Sequence, residues 1–316
     1  MENMIATPSA QDADMDWEQW RHRLLAQFDS FMHEQSVNLY LLVDTRGSPG
    51  IDKLFPKVKG LAWTSLWHGS VLDSYTDIAP YLIHVERLAL DDPQELAGRL
   101  ARRIWMEGAS GFMLTWIWSP LSLTELDEHL KHYTRYAIPD KREYFLHFYD
   151  NRILARIRSV WTDEQAYCFI APCREIWFRN RDQGEIVWRS DGASKPARAD
   201  APLLLSSDQH ARLFALGHAD KLAMQLREMY GVRLDEKSDF ALYLLVTEQL
   251  ERASRYRLRE KDDFLNYVSK GIVLSPRFDE HPVIQERLQR ARNGEISHRE
   301  ALSGLTPDVI KQVAES

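Results

Sequence analysis

The sequence predicts two lobes of different class: an α/β (α+β) N-terminal lobe with a mixed sheet layered by helices, and an all-α C-terminal lobe. Three observations predict this. Short apolar runs alternate with helix-period segments as far as Trp188, the pattern of strands layered by helices. After Leu205 the only apolar period is helical. Between them lies Ser190-Asp-Gly-Ala-Ser-Lys-Pro-Ala-Arg-Ala-Asp-Ala-Pro202, without periodicity and rich in small and turn residues, as linkers are. All ten tryptophans fall between Trp17 and Trp188, which gives the first lobe the bulky aromatic core. The expected division is an N-terminal tail and helix over 1–36, an α/β domain over 37–189, a linker over 190–204 and a helical lobe over 205–316.

Each element has its own signal. Trp17, Trp20, Leu24, Phe28, Phe31 and Met32 share one helical face, with Asp14 and Asp16 at the dipole-favoured start. Leu39-Tyr-Leu-Leu-Val43, stopped by Asp44 and a turn at Gly47-Ser-Pro-Gly50, reads as a buried strand. Strands are also expected at 61–67, 81–85 and 111–118, the last being the longest apolar run and hence central. A short helix is expected over 72–78, and another over 93–106 with proline in its first turn. Ser122-Leu-Thr-Glu125 is a capping-box pattern ahead of Leu126, Leu130 and Tyr133. Residues 143–149 read as a strand, and Asp150 is placed to cap a helix through Trp161. Residues 174–180 and 185–188 form a hairpin around Arg181-Asp-Gln-Gly184. In the second lobe, helices are expected over 207–229, from Ser238, over 260–268 ended near Gly271, over 282–291, from His298 and from Pro307, together a small bundle.

Composition excludes several classes. Net charge is −7, and 17 basic against 18 acidic residues follow position 205, which argues against a dedicated nucleic-acid binder and leaves room only for a local basic patch. No apolar run nears the roughly 20 residues a membrane helix needs. The first residues are acidic and lack an apolar signal core, and only Cys168 and Cys173 occur; a cytoplasmic protein with no disulfide scaffold and no membrane partner is expected.

Chemistry-bearing patterns are sparse. No P-loop, G-x-G-x-x-G or G-x-S-x-G is present. Cys168 and Cys173 lack two further well-spaced ligands and read as buried structural thiols. His129 and His132 lack the His-Glu-x-x-His order and read as a solvated helix face. Arg252, Arg255, Arg257, Arg259 and Lys261 interleave with acids and read as a mixed-sign helix end. The densest polar set is His147-Phe-Tyr-Asp150-Asn-Arg152. With Asp44 it would put two carboxylates at one sheet edge, able in principle to do acid–base work. The plainer expectation is that Asp150 caps its helix and pairs with Arg152. No catalytic residue, metal or cofactor is therefore assigned.

Five segments in order carry a family resemblance: Leu39-Tyr-Leu-Leu-Val-Asp44, Trp63-Thr-Ser-Leu-Trp-His-Gly69, Ile78-Ala-Pro-Tyr-Leu-Ile83, Leu126-Asp-Glu-His-Leu130 and Phe145-Leu-His-Phe-Tyr-Asp-Asn-Arg-Ile-Leu154. Over about residues 37 to 180 the chain resembles the adaptor chaperones of bacterial type VI secretion. The last segment is the most specific. In the family it reads close to Phe-Arg-Phe-Tyr-Asp-Pro-Arg-Val-Leu; here His147 stands for the arginine and Asn151 for the proline. Trp116 and Trp118 stand where the family more often has small residues.

The resemblance implies a non-catalytic scaffold that joins a cognate effector, a toxin, to the spike (VgrG or PAAR tip), with a variable helical tail. The partner-binding residues expected are Trp63, Trp67, Tyr81, Tyr149, Asp150 and Arg152 in the first lobe. In the second, Tyr243, Tyr256, Tyr267 and Phe278 are the candidate exposed anchors, since aromatics concentrate at interface hot spots; the alternative for each is a place in the core of the bundle. The alternatives are a hydrolase-like enzyme using Asp44 and Asp150, or a regulatory binding module unrelated to secretion.

Overall fold

The computed structural model describes residues 10–31, 37–92, 94–108, 112–191, 202–234 and 236–314. Most of the expected linker, 192–201, lies outside them. The chain forms two compact units, residues 1–213 and 214–316.

The first unit begins with α1 (Ala10–Phe31) and β1 (Asn38–Asp44). Then come β2 (Trp63–Ser65), β3 (Pro80–Val85), α2 (Arg87–Asp91), α3 (Leu96–Gly108) and β4 (Leu114–Ser119). They are followed by α4 (Leu123–His132), β5 (Arg135–Ala137), β6 (Glu143–Phe145), α5 (Asn151–Val160) and α6 (Asp163–Ile170). The hairpin β7 (Glu175–Arg179) and β8 (Glu185–Arg189) and the short β9 (Leu203–Leu204) complete its strands.

Six strands form one antiparallel sheet in the order β2-β3-β1-β4-β7-β8. A second sheet, β6-β5-β9, joins an antiparallel pair to a parallel one. Because side chains alternate across a strand, the register sorts the large sheet into two faces. Leu41 lies opposite Ile83 and Trp116, and Trp116 opposite Trp177. That face meets α1 and α3: Trp105 packs on Trp116, Trp20 on Trp177 and Phe28 on Trp118. The other face carries Leu42, Thr115 and Phe178, and Trp188 there meets Phe169 of α6. β1 and β4 are buried along their length save for Asn38, so the sheet is covered on both sides.

Local signals set the helix starts. Ser122 and Thr162 each form a capping box, with Glu125 and Gln165. Only 143–145 of the expected 143–149 strand pairs; Leu146 bonds back to Thr134 and the chain then turns through His147 to Asp150. The expected helix over 72–78 is a run of turns ending in a 3₁₀ turn at Thr76–Ile78. Pro80 follows closely and disfavours a full α-helix.

The second unit packs α7 (Ser207–Tyr230, which starts in the first unit), α8 (Asp239–Ala253), α9 (Lys261–Val273), α10 (Pro282–Arg292), α11 (His298–Ser303) and α12 (Pro307–Ala314). Leu222, Leu226, Val246, Tyr267, Val268, Phe278, Ile284 and Leu288 form its core. Gly271 was expected to end α9 but lies inside it, where a Cβ would come 2.0 Å from Gln249 Oε1. The glycine is a notch that lets α8 and α9 approach. Among the described residues no helix is long and apolar enough to cross a membrane.

Candidate functional site

The end of β1 and the start of α5 meet in a knot of charges. The Asp44 side chain accepts from the Arg46 backbone N–H at 3.2 Å and so shapes the turn after β1. The Arg46 guanidinium returns to the same carboxylate, Nε to Oδ1 at 2.9 Å and Nη2 to Oδ2 at 2.5 Å. Asp150 repeats the device. Its Oδ1 caps α5 by accepting from the Arg152 N–H at 3.0 Å, and Arg152 Nη2 donates to Oδ2 at 2.7 Å. Arg46 Nη2 also reaches Asp150 Oδ2 at 3.4 Å and joins the two halves. Both carboxylates are buried.

The walls of the knot are aromatic. Arg46 lies over the Tyr149 ring at 5.3 Å and Arg152 over Phe112 at 5.7 Å. Trp67 packs edge-on against Tyr149, and the Tyr149 hydroxyl meets His147 Nδ1. Burial pushes the Asp150 carboxyl up, but the hydrogen bonds and charge of Arg152, with the charge of Arg46, hold it below the usual carboxylate range. Burial lowers the His147 imidazole and Arg46 adds to this, against Asp44 and Asp150. Burial raises the Tyr149 hydroxyl. The expected cap and Arg152 pair are thus present.

Asn151 has a physical role where the resembling family has proline. Its N–H donates to Phe112 O at 3.0 Å, which proline could not do. Its amide donates to Leu114 O at 2.9 Å and accepts from Thr115 Oγ1 at 2.8 Å. These bonds tie α5 to the entry of β4, where Phe112 takes a positive φ of 60°. Arg46 was not singled out in the sequence. Its signal was there but not unique: Asp-x-Arg occurs at 44–46, 140–142 and 150–152, and the exposed Asp140–Arg142 pair makes the same local bonds outside the knot.

The other expected site residues divide by burial. Trp63 is 36% exposed and packs on Phe55 and Tyr81. Trp67, Tyr81 and Tyr149 are buried, and Tyr81 donates to Thr76 O at 2.8 Å. In the second unit Tyr243 is half-buried. Tyr256, Tyr267 and Phe278 are not exposed anchors: all three are core. Both tyrosine hydroxyls donate to the buried Asp279, at 3.1 and 2.8 Å, and Arg252 Nε donates to it at 3.0 Å. Burial and Asp279 push the Tyr256 hydroxyl up to about 12. The exposed apolar side chains of this unit are instead Met224, Met229, Val232 and Leu244, among others.

Two further expectations are corrected. His129 is not on a solvated face; it is fully buried with Nε2 2.9 Å from Phe169 O. Cys173 is buried, with its thiol pushed up to about 12, but Cys168 is exposed. Among the described residues no group of three or more His, Cys, Asp or Glu is placed to hold a metal ion.

The knot lies inside a segment that matches a family model. Residues 39–167 match a family model, a domain of unknown function (DUF4123). The DUF4123 match runs from β1 into α6 and contains the Asp44–Arg46 and Asp150–Arg152 turns of the knot, Trp63 and Trp67. No curated protein and no solved structure matches the chain.

Proposed function

We propose that the chain is a cytoplasmic adaptor that binds a cognate type VI secretion effector and loads it onto the VgrG or PAAR spike, without catalysing a reaction. One observation carries the reading. The two carboxylates that could have formed a catalytic pair are each held by an arginine in a buried knot, with Arg46 bridging them. Asp150, held below the usual carboxylate range, is a poor proton acceptor, and the Asp44 oxygens are taken up by the Arg46 backbone N–H and guanidinium. The five ordered segments that resemble the adaptor chaperones all lie within the DUF4123 match and support the same reading.

The helical unit lies outside both the resemblance and the match, and it is assigned to effector choice. The deciding experiment is co-expression of the chain with candidate type VI toxins and VgrG or PAAR spike proteins of the same genome. The expected result is a complex of toxin, chain and spike that Arg46→Ala weakens. A substrate whose hydrolysis disappears in a folded Asp44→Asn variant would replace this reading with the hydrolase.

A further inference from the structure

β2 is an outer strand of the six-stranded sheet, and among the described residues β3 is its only strand neighbour. Its hydrogen-bonding phase is fixed at both ends: His84 N donates to Ala62 O at 2.9 Å and Leu66 N to Pro80 O at 3.0 Å. Antiparallel partners alternate, so Thr64 faces β3 while the N–H and C=O of Trp63 and the N–H of Ser65 point away from the sheet. Ser65 O is used by His68 N at 3.0 Å. An unpaired edge is a template for another strand. The opposite edge, β8, is blunted: Glu185 pairs with Arg23 and Arg189 with Glu175. β2 carries no charged residue.

Beside this edge a cavity of about 290 Å³ opens between the sheet and α2–α3, with Leu61, Ile83, Val85, Leu100 and Ile104 in its walls. Trp63 lies opposite Ile83 and on its face of the sheet. Leu61, two residues earlier, is on the cavity wall. A strand laid along β2 sends alternate side chains to that face. One would cover the exposed Trp63 ring, and the next on that face would enter the cavity. The rim carries Glu86 and Glu95 against Lys59. None of the three is in an ion pair among the described residues. Burial keeps the His84 imidazole below its usual range, hence neutral at pH 7.

We infer that the β2 edge captures an extended segment of the protein partner, which adds a strand through Trp63 and seats an apolar side chain, flanked by a lysine or arginine, in this cavity. The partner's identity rests on the adaptor reading; the edge site does not. Main-chain bonds supply affinity and the pocket selects the side chain.

The test uses the full chain and fluorescein-labelled octapeptides that alternate threonine with isoleucine and end in lysine, read by anisotropy. The expected result is saturable binding. It should weaken at least about tenfold, 1.4 kcal/mol, when the peptide backbone is N-methylated on its pairing edge. Trp63→Pro removes only an outward N–H from the backbone pairing, and Ala101→Phe or the half-buried Ala97→Phe fills the cavity; each should cause a similar loss. Glu86→Lys with Glu95→Lys should weaken the lysine peptide and favour one ending in glutamate. Circular dichroism and thermal melting check that each variant folds. No saturation with the wild-type chain, or equal affinity in Trp63→Pro and Ala97→Phe, would overturn the edge site. If a toxin captured by the wild-type chain still co-purifies with those two variants at the wild-type level, the edge site falls and the adaptor reading stands. If the wild-type chain captures no toxin yet binds the peptides, the adaptor reading falls alone.

Discussion

Arg46 reaches a carboxylate 104 residues away in the chain, and that reach sets the energetics of the knot. Asp150→Asn keeps an oxygen to cap α5 but loses the charge facing Arg152 and Arg46. A loss of about 2 kcal/mol at pH 7 is expected, the scale of charge-assisted hydrogen bonds. The folded carboxyl lies below its ordinary value. Its contribution is therefore present above an unfolded pKa of about 3.9 and is lost as pH falls through the lower folded one. Urea melts should show the gap between wild type and Asp150→Asn close under strong acid; a gap that persists there would mean the charge is not its cause. His129 acts at higher pH. Burial lowers its imidazole to about 4, beneath an unfolded value of about 6.5. The stability present above that unfolded value should fall by about 3 kcal/mol as pH drops towards 4, and His129→Gln should flatten the slope. The Asp150 cap was legible because a cap and a short-range pair are local events. Arg46 as a bridge was not, because nothing in one sequence says that the turn after β1 comes to lie beside the turn before α5.

At the scale of elements, reading worked where the period was long or the cap was chemical. Leu39 to Val43, the capping box at Ser122 and the hairpin around Gly184 all appear as expected. It failed where one residue type serves two purposes. A tyrosine on an amphipathic helix looks alike whether it meets a partner or a neighbouring helix, and the buried Asp279 beneath Tyr256 and Tyr267 decides the matter. Gly271 likewise looks like a terminator and proves to be a notch. Gly271→Ala forces a methyl onto Gln249, whose Nε2 donates to Pro276 O. A loss of about 1–3 kcal/mol is expected, read as a lower melting temperature. Adding Gln249→Ala should recover part of it, since the two changes share one space. Full additivity would place the strain elsewhere.

Across the whole molecule, the second unit has a core of its own and no tryptophan. A fragment from Leu205 to the C-terminus should fold as a cooperative helical body, followed by circular dichroism with tyrosine as the only fluorophore. A fragment without a thermal transition would show that its core needs the first unit. That first unit has a different problem, which its strand order creates. β1 is an early strand but takes an inner place, between β3 and β4. On the ribosome its apolar residues emerge before those of its two partner strands, and Trp116, the far partner of Leu41, comes much later. Non-local pairing of this kind slows folding and leaves strand edges open to wrong pairings. Yield should therefore depend on synthesis rate: slower elongation or lower growth temperature gives nascent β1 time to wait for β3 and β4, and faster production should send chain to inclusion bodies before any partner is met.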